Sequence, residues 1–392
     1  MSELPLDGLR ILDLSRVLAG PYCTMVLSDL GAEVVKIERP GAGDETRAWG
    51  PPFVEGESAY FLSVNRGKRS VALDLRGDLA RAAFMRLAAN ADVVVENFRT
   101  GGADALGVGY EHVRAVNPRV VYCSITGFGP REPAGRPGYD FVIQAESGLM
   151  SITGEAEGAP SKVGVAVVDV LAGLNAAVAI LAALRRREDT GGGAHVEVSL
   201  LDSALSGLVN VAQSVLVTGE EAPRFGNAHR SVAPYEPLRA EDGLVAVAAA
   251  NDGLFAKLCA ALGRNDLHAD PRFATNAGRV EHRAALAAEL ERTLTERPAA
   301  EWIELLNAEG VPAGKIRGVL EALEAAGDEA RMSVEHPAVG PLELVRTAPR
   351  FDAPPPPVPP PLLGQHTREV LREIGLDDAE VDALAAESAG QS

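Results

Sequence analysis

Short runs of Val, Ile and Leu alternate with helix-periodic segments through the first two hundred residues. LRILDLS (9–15), EVVKIER (33–39), SVALDL (70–75), ADVVVENF (91–98), RVVYCSITGFG (119–129) and HVEVSLLD (195–202) predict strands. GPYCTMVLSDLGA (20–32), RAAFMRLAAN (81–90) and SALSGLVNVAQSVLV (203–217) predict helices. Such alternation predicts an α/β fold with a parallel, doubly wound sheet and helices on both faces. Near residue 220 the pattern changes. TGEEAPRFGNAHRSVAPYEP reads as a linker and entry loop. GLVAVAAAN (243–251), the Ala/Glu/Arg-rich helices between Asp252 and Leu306 and the EGVPAGKI turn then predict a second compact unit. The tail continues as a strand-like GPLELV, an extended proline-rich strap and a final helix.

One helical stretch breaks the polar–apolar pattern. VGVAVVDVLAGLNAAVAILAALRRR, Val163–Arg187, is almost wholly small or aliphatic, and Asp169 is its only acidic residue. A carboxylate in such surroundings is costly unless something satisfies it. An N-cap, accepting hydrogen bonds from first-turn amides, is one reading. A nucleophile oriented at a helix N-terminus is the other. Because the stretch holds Asp169 and Asn175 and is rich in Ala and Gly, a buried helix is preferred to a membrane span.

Composition narrows the class. A hydrophobic content of 46% against 23% charged residues is that of an ordinary globular protein, and 392 residues suffice for two domains. A net charge of −18 argues against a general nucleic-acid binder and against an anionic membrane surface. Cys23, Cys123 and Cys259 are far apart, so no disulfide framework or metal spacing follows and a cytoplasmic setting is expected. The GxGxxG fingerprint is missing after the first strand, where the chain reads SRVLAGPYCT, so a nicotinamide or flavin cofactor is not expected.

Ligands of such sheets sit beyond the C-terminal strand ends. Lys36, Arg39, Lys68, Arg69, Arg76, Arg99 and Arg136 fall near the predicted ends. Taken singly each reads as a solvated surface charge; together, in an acidic protein, they point to a multiply anionic ligand such as a phosphorylated nucleotide. The glycines of GAGD (41–44), NRGKR (65–69) and Gly191–Gly193 offer weak support for close backbone approach to a ligand. Tyr139, in GYD, precedes the predicted helix FVIQAESGLM and on its own reads as a core or capping aromatic.

These segments, in order, resemble the class III CoA-transferase family. The resemblance runs through PLDGLRILDLSRVLAGPYCTMVLSDLGAEVVKIERPGAGDETRAWGPPF, SAYFLSVNRGKRSVALDL, VVENFRTG, YCSITGFG, GYD, VGVAVVDVLAG and PPPLLGQHT. Within the family the runs RVLAGP, YCSITG and PPPLLGQHT are most similar to the succinate–hydroxymethylglutarate branch. The resemblance implies a Rossmann-like large domain (1–200 and 326–392), a linker (201–225), a smaller inserted α/β domain (226–325), and an interlocked homodimer. It implies Asp169 as the catalytic residue, passing through a mixed anhydride and an aspartyl-CoA thioester, with CoA thioesters as substrates and no permanently bound cofactor. CoA contacts carry over to Val17, Leu18, Arg39, Leu73, Arg76, Asn97, Phe98, Arg99, Arg136 and Tyr139. The family often has a basic residue where this chain has Ala105. Tyr139 stands where racemases of the family need a His, which favours transfer over racemisation; a catalytically silent CoA-binding subunit is the other alternative, and the intact Asp169 speaks against it. Arg47, His229 and Arg230 are the candidate partners for a second carboxylate on a dicarboxylate substrate.

Overall fold

In a computed structural model, residues 4–130, 136–351 and 357–390 are described. They form two compact units: Met1–Leu149 with Val163–Val217 and Gly327–Ser392, and Met150–Lys162 with Thr218–Ala326.

The central sheet of the larger unit holds six strands, β1 (Arg10–Asp13), β2 (Glu33–Glu38), β3 (Lys68–Ala72), β4 (Val93–Glu96), β5 (Val121–Thr126) and β6 (Ala194–Ser199). They lie in the order β3-β2-β1-β4-β5-β6, and every pairing is parallel. The Val-rich runs form these strands because both faces are covered, so continuous apolar sequence is tolerated. The helices that matter here are α1 (Ala19–Asp29), α2 (Ala59–Val64), α3 (Asp78–Ala88), α4 (Tyr110–Val116), α5 (Asp140–Glu146), α6 (Val167–Thr190), α7 (Leu200–Gly207) and α8 (Val209–Thr218). One face buries Phe84, Leu87 and Val113 of α3 and α4 with Val370 and Leu371 of the C-terminal segment. The opposite face buries Cys23 and Leu27 of α1 with Ala172, Ala176 and Ile180 of α6.

By length and composition α6 is apolar enough to cross a membrane, but half of its most apolar stretch is buried inside the fold. Its small residues have a packing reason. A Cβ on Gly173 would stand 2.6 Å from the Ala19 carbonyl oxygen, so only glycine lets α6 approach the start of α1.

Three expectations change. The helix expected over 203–217 is two helices bent by 78°, because Val209, the first residue of α8, adopts a left-handed φ of 40°. The third strand begins at Lys68 rather than Ser70, in register with Val34. Gly67 and Gly191–Gly193 precede β3 and β6, so they sit at the strand starts, not at the ligand edge. Their work is local: Gly191 closes α6 at φ 72°, and a Cβ on Gly193 would meet the Val120 backbone oxygen at 2.1 Å.

The edge strand β3 is covered by the proline-rich strap. Ser70 N donates to His366 Nδ1, Ala72 N donates to Thr367 Oγ1, and Gly67 N donates to the Val358 carbonyl. Open donors on a sheet edge invite pairing with another chain, and the strap occupies them. The middle of the proline run, 352–356, lies outside the described residues.

The smaller unit has an antiparallel sheet of β7 (Tyr235–Arg239), β8 (Leu244–Ala248) and β9 (Ala313–Lys315) with β8 central. Its core is built on Phe255, Leu258, Leu290 and Trp302. Residues 150–162 pack into this unit, where Arg224 donates to the carbonyls of Ser151, Glu155 and Gly158.

Candidate active site

The strand order reverses direction between β1 and β4, and in an open parallel sheet the crevice at that point is where ligands bind. Here the loops after those two strands are tied together. Arg16 N donates to Asn97 Oδ1 at 2.8 Å, and Asn97 Nδ2 donates back to the Arg16 carbonyl at 2.7 Å. Above them lies a cavity of about 350 Å³ lined by Val17, Leu18, Asn97, Phe98, Arg99, Arg136, Tyr139 and Asp169, among others. A second cavity, about 420 Å³, shares Arg16, Glu45 and Phe98 with the first and carries Arg39, Leu73 and Arg76. Each is within the size range of small-molecule sites.

Asp169 is 8% exposed and sits in the first turn of α6. It does not cap that helix. The capping acceptor is Asp140, at the start of α5, whose Oδ1 takes Val168 N at 2.8 Å and Asp169 N at 3.3 Å, while its Oδ2 accepts from Gln144 at 2.6 Å. Sequence reasoning missed Asp140 because the cap comes from 29 residues away. Only GYD, directly before a helix, hinted that this position mattered. With capping done by another residue, the Asp169 carboxylate is left facing the cavity. Burial first, and the nearby charge of Asp140 second, push its pKa up from 3.8 to about 7. Tyr60 of α2 stands near enough to feel both charges; burial, then Asp169 and Asp140, raise its phenol to about 12.

The facing element is the β1–α1 turn. Val17 holds a φ of 68°, a conformation that costs a β-branched residue on the order of 1–3 kcal/mol. Val17 N donates to Asp44 Oδ1 at 3.2 Å. Leu18, at the N-cap of α1, supplies no side-chain acceptor to its first-turn amides, no other side chain among the described residues is seen to do so, and Pro21 has no N–H to contribute. At the far side of the cavity Gly127 and Gly138 approach so closely that a Cβ on Gly138 would lie 2.6 Å from the Gly127 Cα. That approach brings Gly138 and Tyr139 to the end of β5. Arg136 lies over the Phe128 ring at 3.7 Å and pairs with Glu146 at 2.5 Å.

The remaining basic residues divide. Arg39 and Arg99 are exposed on the cavity walls with no counter-ion within salt-bridge distance among the described residues, whereas Arg76 pairs with Asp74 at 2.5 Å. Lys36 and Lys68 are fully buried ion-pair partners of Asp44 and Asp13, at 3.0 Å each. Arg69 is spent on Glu33, Glu369 and Glu373, away from the ligand edge. The charge cluster expected along that edge is therefore partly internal wiring.

Arg47 lines neither cavity. It makes a bidentate pair with Glu38 at 2.8 Å for both bonds, donates to the Pro361 carbonyl and lies 3.6 Å over the Phe61 ring. Those bonds occupy the fork a distal carboxylate would need, and through them Arg47 ties the strap to β2. His229 and Arg230 belong to the smaller unit. His229 Nδ1 accepts from Ser231 N at 3.1 Å, and Arg230 keeps a buried Nη1 with no hydrogen-bond partner among the described residues. Ala105 lies exposed in the single turn Gly102–Ala105 and leaves that spot without a charge.

The sequence matches the model of CoA-transferase family III over residues 6–367. The chain belongs to that family. Among its relatives, succinyl-CoA:glutarate CoA-transferase of Mus musculus is 43% identical over 383 residues, covering 95% of this chain and 87% of that one. Succinyl-CoA:mesaconate CoA-transferase of Haloarcula marismortui is 40% identical, covering 95% and 96%. The crystal structure of a CAIB/BAIF family protein from Brucella suis superposes with a TM-score of 0.84 at 44% identity, covering 95% of this chain and all of that one. This CoA-transferase thus has CoA thioesters as its substrates, and its six-stranded sheet presents two adjoining cavities beyond the C-terminal strand ends.

Proposed function

We propose that this enzyme transfers CoA from succinyl-CoA to a second dicarboxylic acid of four to six carbons, with Asp169 as the nucleophile. The carrying observation is a buried carboxylate with no ion-pair partner among the described residues, facing a cavity at the switch point of the sheet. The dicarboxylate choice rests on the names of the relatives.

An Asp169 oxygen attacks the thioester carbonyl and expels CoA thiolate, leaving a mixed anhydride. The thiolate then attacks the aspartyl carbonyl, releasing the donor acid as its carboxylate and forming an aspartyl-CoA thioester. The acceptor carboxylate attacks that carbonyl, expels the thiolate again and forms a second anhydride. Attack of the thiolate on the acceptor carbonyl completes the new thioester and frees Asp169. Each step develops an oxyanion. The first amides of α6 are taken, Val167 N by the Val165 carbonyl and the next two by Asp140. Stabilising donors must then come from the facing turn, and the start of α1 is the supply.

Arg39 and Arg76 in the second cavity serve the phosphate and adenosine end, and Arg99 and Arg136 the approach to the thioester. The working unit is an interlocked cytoplasmic homodimer, with Leu174, Val178, Leu205, Val209, Leu216 and Val217, all exposed, covered by the second copy.

Asp169→Ala tests the nucleophile. Turnover should fall by at least about 10⁴-fold, and hydroxylamine after donor acyl-CoA should mark Asp169 in the wild type. A mark on another carboxylate, or near-normal turnover in the variant, sinks the assignment. For the acceptor, glutarate should outcompete valerate, and equal use of the two would overturn the dicarboxylate choice.

A further inference from the structure

Beneath the cavity, four charged side chains are packed out of contact with water: Asp13, Lys36, Lys68 and Asp44. A well-packed apolar set of similar volume would often stabilise the fold as well or better, so stability does not explain these charges. Their hydrogen bonds give a different reason. Lys36 Nζ donates to the Ser15 carbonyl at 2.7 Å while paired with Asp44. Asp13 Oδ1 accepts Ser15 N at 2.9 Å. Asp44 Oδ1 accepts Val17 N at 3.2 Å, and Thr46 N and Oγ1 at 3.0 and 2.8 Å. Arg16, between them, has both backbone groups taken by Asn97. The peptides of the Ser15–Val17 turn are therefore pinned one after another, and the last of them is held at a backbone angle that valine avoids. A free turn would relax from that angle. This one cannot, and α1 begins two residues later.

We propose that the buried Lys36–Asp44 pair is a positioning device for CoA transfer, fixing the Ser15–Val17 turn so that the uncapped start of α1 faces Asp169. The inference rests on Asp169 being the acylated residue. Neither Lys36 nor Asp44 lines the cavity that Asp169 faces. They act through the backbone, and their removal should slow chemistry more than it weakens binding. Asp44 also borders the second cavity, so a plain binding role would appear instead as lost affinity for CoA.

The experiment compares Asp44→Ala with Asp44→Asn, which keeps an acceptor for Val17 N and Thr46 N. Asp44→Ala should lower kcat, and the rate of hydroxylamine-trappable Asp169 acylation, by at least about tenfold, while the Kd of free CoA changes less than about threefold. Asp44→Asn should recover most of the loss. Val17→Gly supplies a second readout that does not depend on Asp44→Ala folding. It relieves the backbone cost, so Tm should hold or rise while kcat falls, a split no purely structural role produces. A wild-type kcat in Asp44→Ala or in Val17→Gly, or a loss of CoA affinity as large as the loss of kcat, overturns the proposal. Asp169→Ala is assayed alongside: turnover there overturns the nucleophile, whereas an inactive Asp169→Ala beside a fully active Asp44→Ala overturns only the positioning role.

Discussion

Asp13 and Asp169 are both buried carboxylates of the large unit, yet they titrate in opposite directions. Burial pushes the Asp13 carboxyl up, but Lys68, Lys36 and the hydroxyls of Ser15 and Thr24 outweigh it and hold the group ionised. Asp169 has the same kind of burial, but the charge that acts on it is a second carboxylate, Asp140. The first arrangement builds a fixed internal frame. The second leaves a carboxylate whose charge has not been neutralised in advance and which gains by bonding to carbon. Depth alone distinguishes nothing; the company a buried charge keeps decides whether it is structure or reagent.

The contrast breaks most sharply if the frame loses a cation. Lys68→Met strands Asp13 and should destabilise the protein by about 3–5 kcal/mol, read as a lowered urea midpoint. An unchanged midpoint would mean that Asp13 does not depend on its partner. The opposite change, Asp169→Asn, should stabilise. Because the folded pKa of Asp169 is raised from 3.8 to about 7, its contribution is present below pH 4 and is lost as pH rises towards 7. The Asn variant should thus exceed the wild type at pH 8 by on the order of 2–4 kcal/mol and converge with it near pH 4. Equal midpoints at both pH values would show that Asp169 ionises without cost.

Arg39→Ala removes an exposed cation from the second cavity. It should weaken free CoA by about 1–3 kcal/mol with little change in kcat, checked by titration calorimetry. The finest test is Asp140→Asn, which keeps an acceptor for Val168 N while deleting the charge that helps raise Asp169. The acid limb of kcat/KM, where activity rises as Asp169 ionises, should move down by up to about one pH unit. A limb that stays in place would assign the raised pKa to burial alone.

Most of the large unit was legible in the chain, because strands covered on both faces must be apolar throughout and the Val runs at 34–35, 93–95 and 120–121 say so. Asp169 stood out for the same reason, as a charge where the pattern forbids one. What stayed hidden depended on partners distant in sequence. Nothing near Arg47 announces that Glu38, Phe61 and Pro361 claim it, and nothing at Asp140 announces a helix 29 residues on. The break between α7 and α8 was hidden differently, since a valine at φ 40° carries none of the glycine signal that marks such turns.

The strap over β3 also sets a timetable. Ala72 receives its acceptor from Thr367, 295 residues further along the chain. At a synthesis rate of about 5–20 residues per second, that edge waits roughly 15–60 s on the ribosome before its cover is made. Over that interval the sheet of a nascent chain can pair with a neighbour on the same message. The enzyme's most hazardous moment is then its birth, and a truncation that spares every residue lining the two cavities but deletes 364–367 would extend that moment indefinitely.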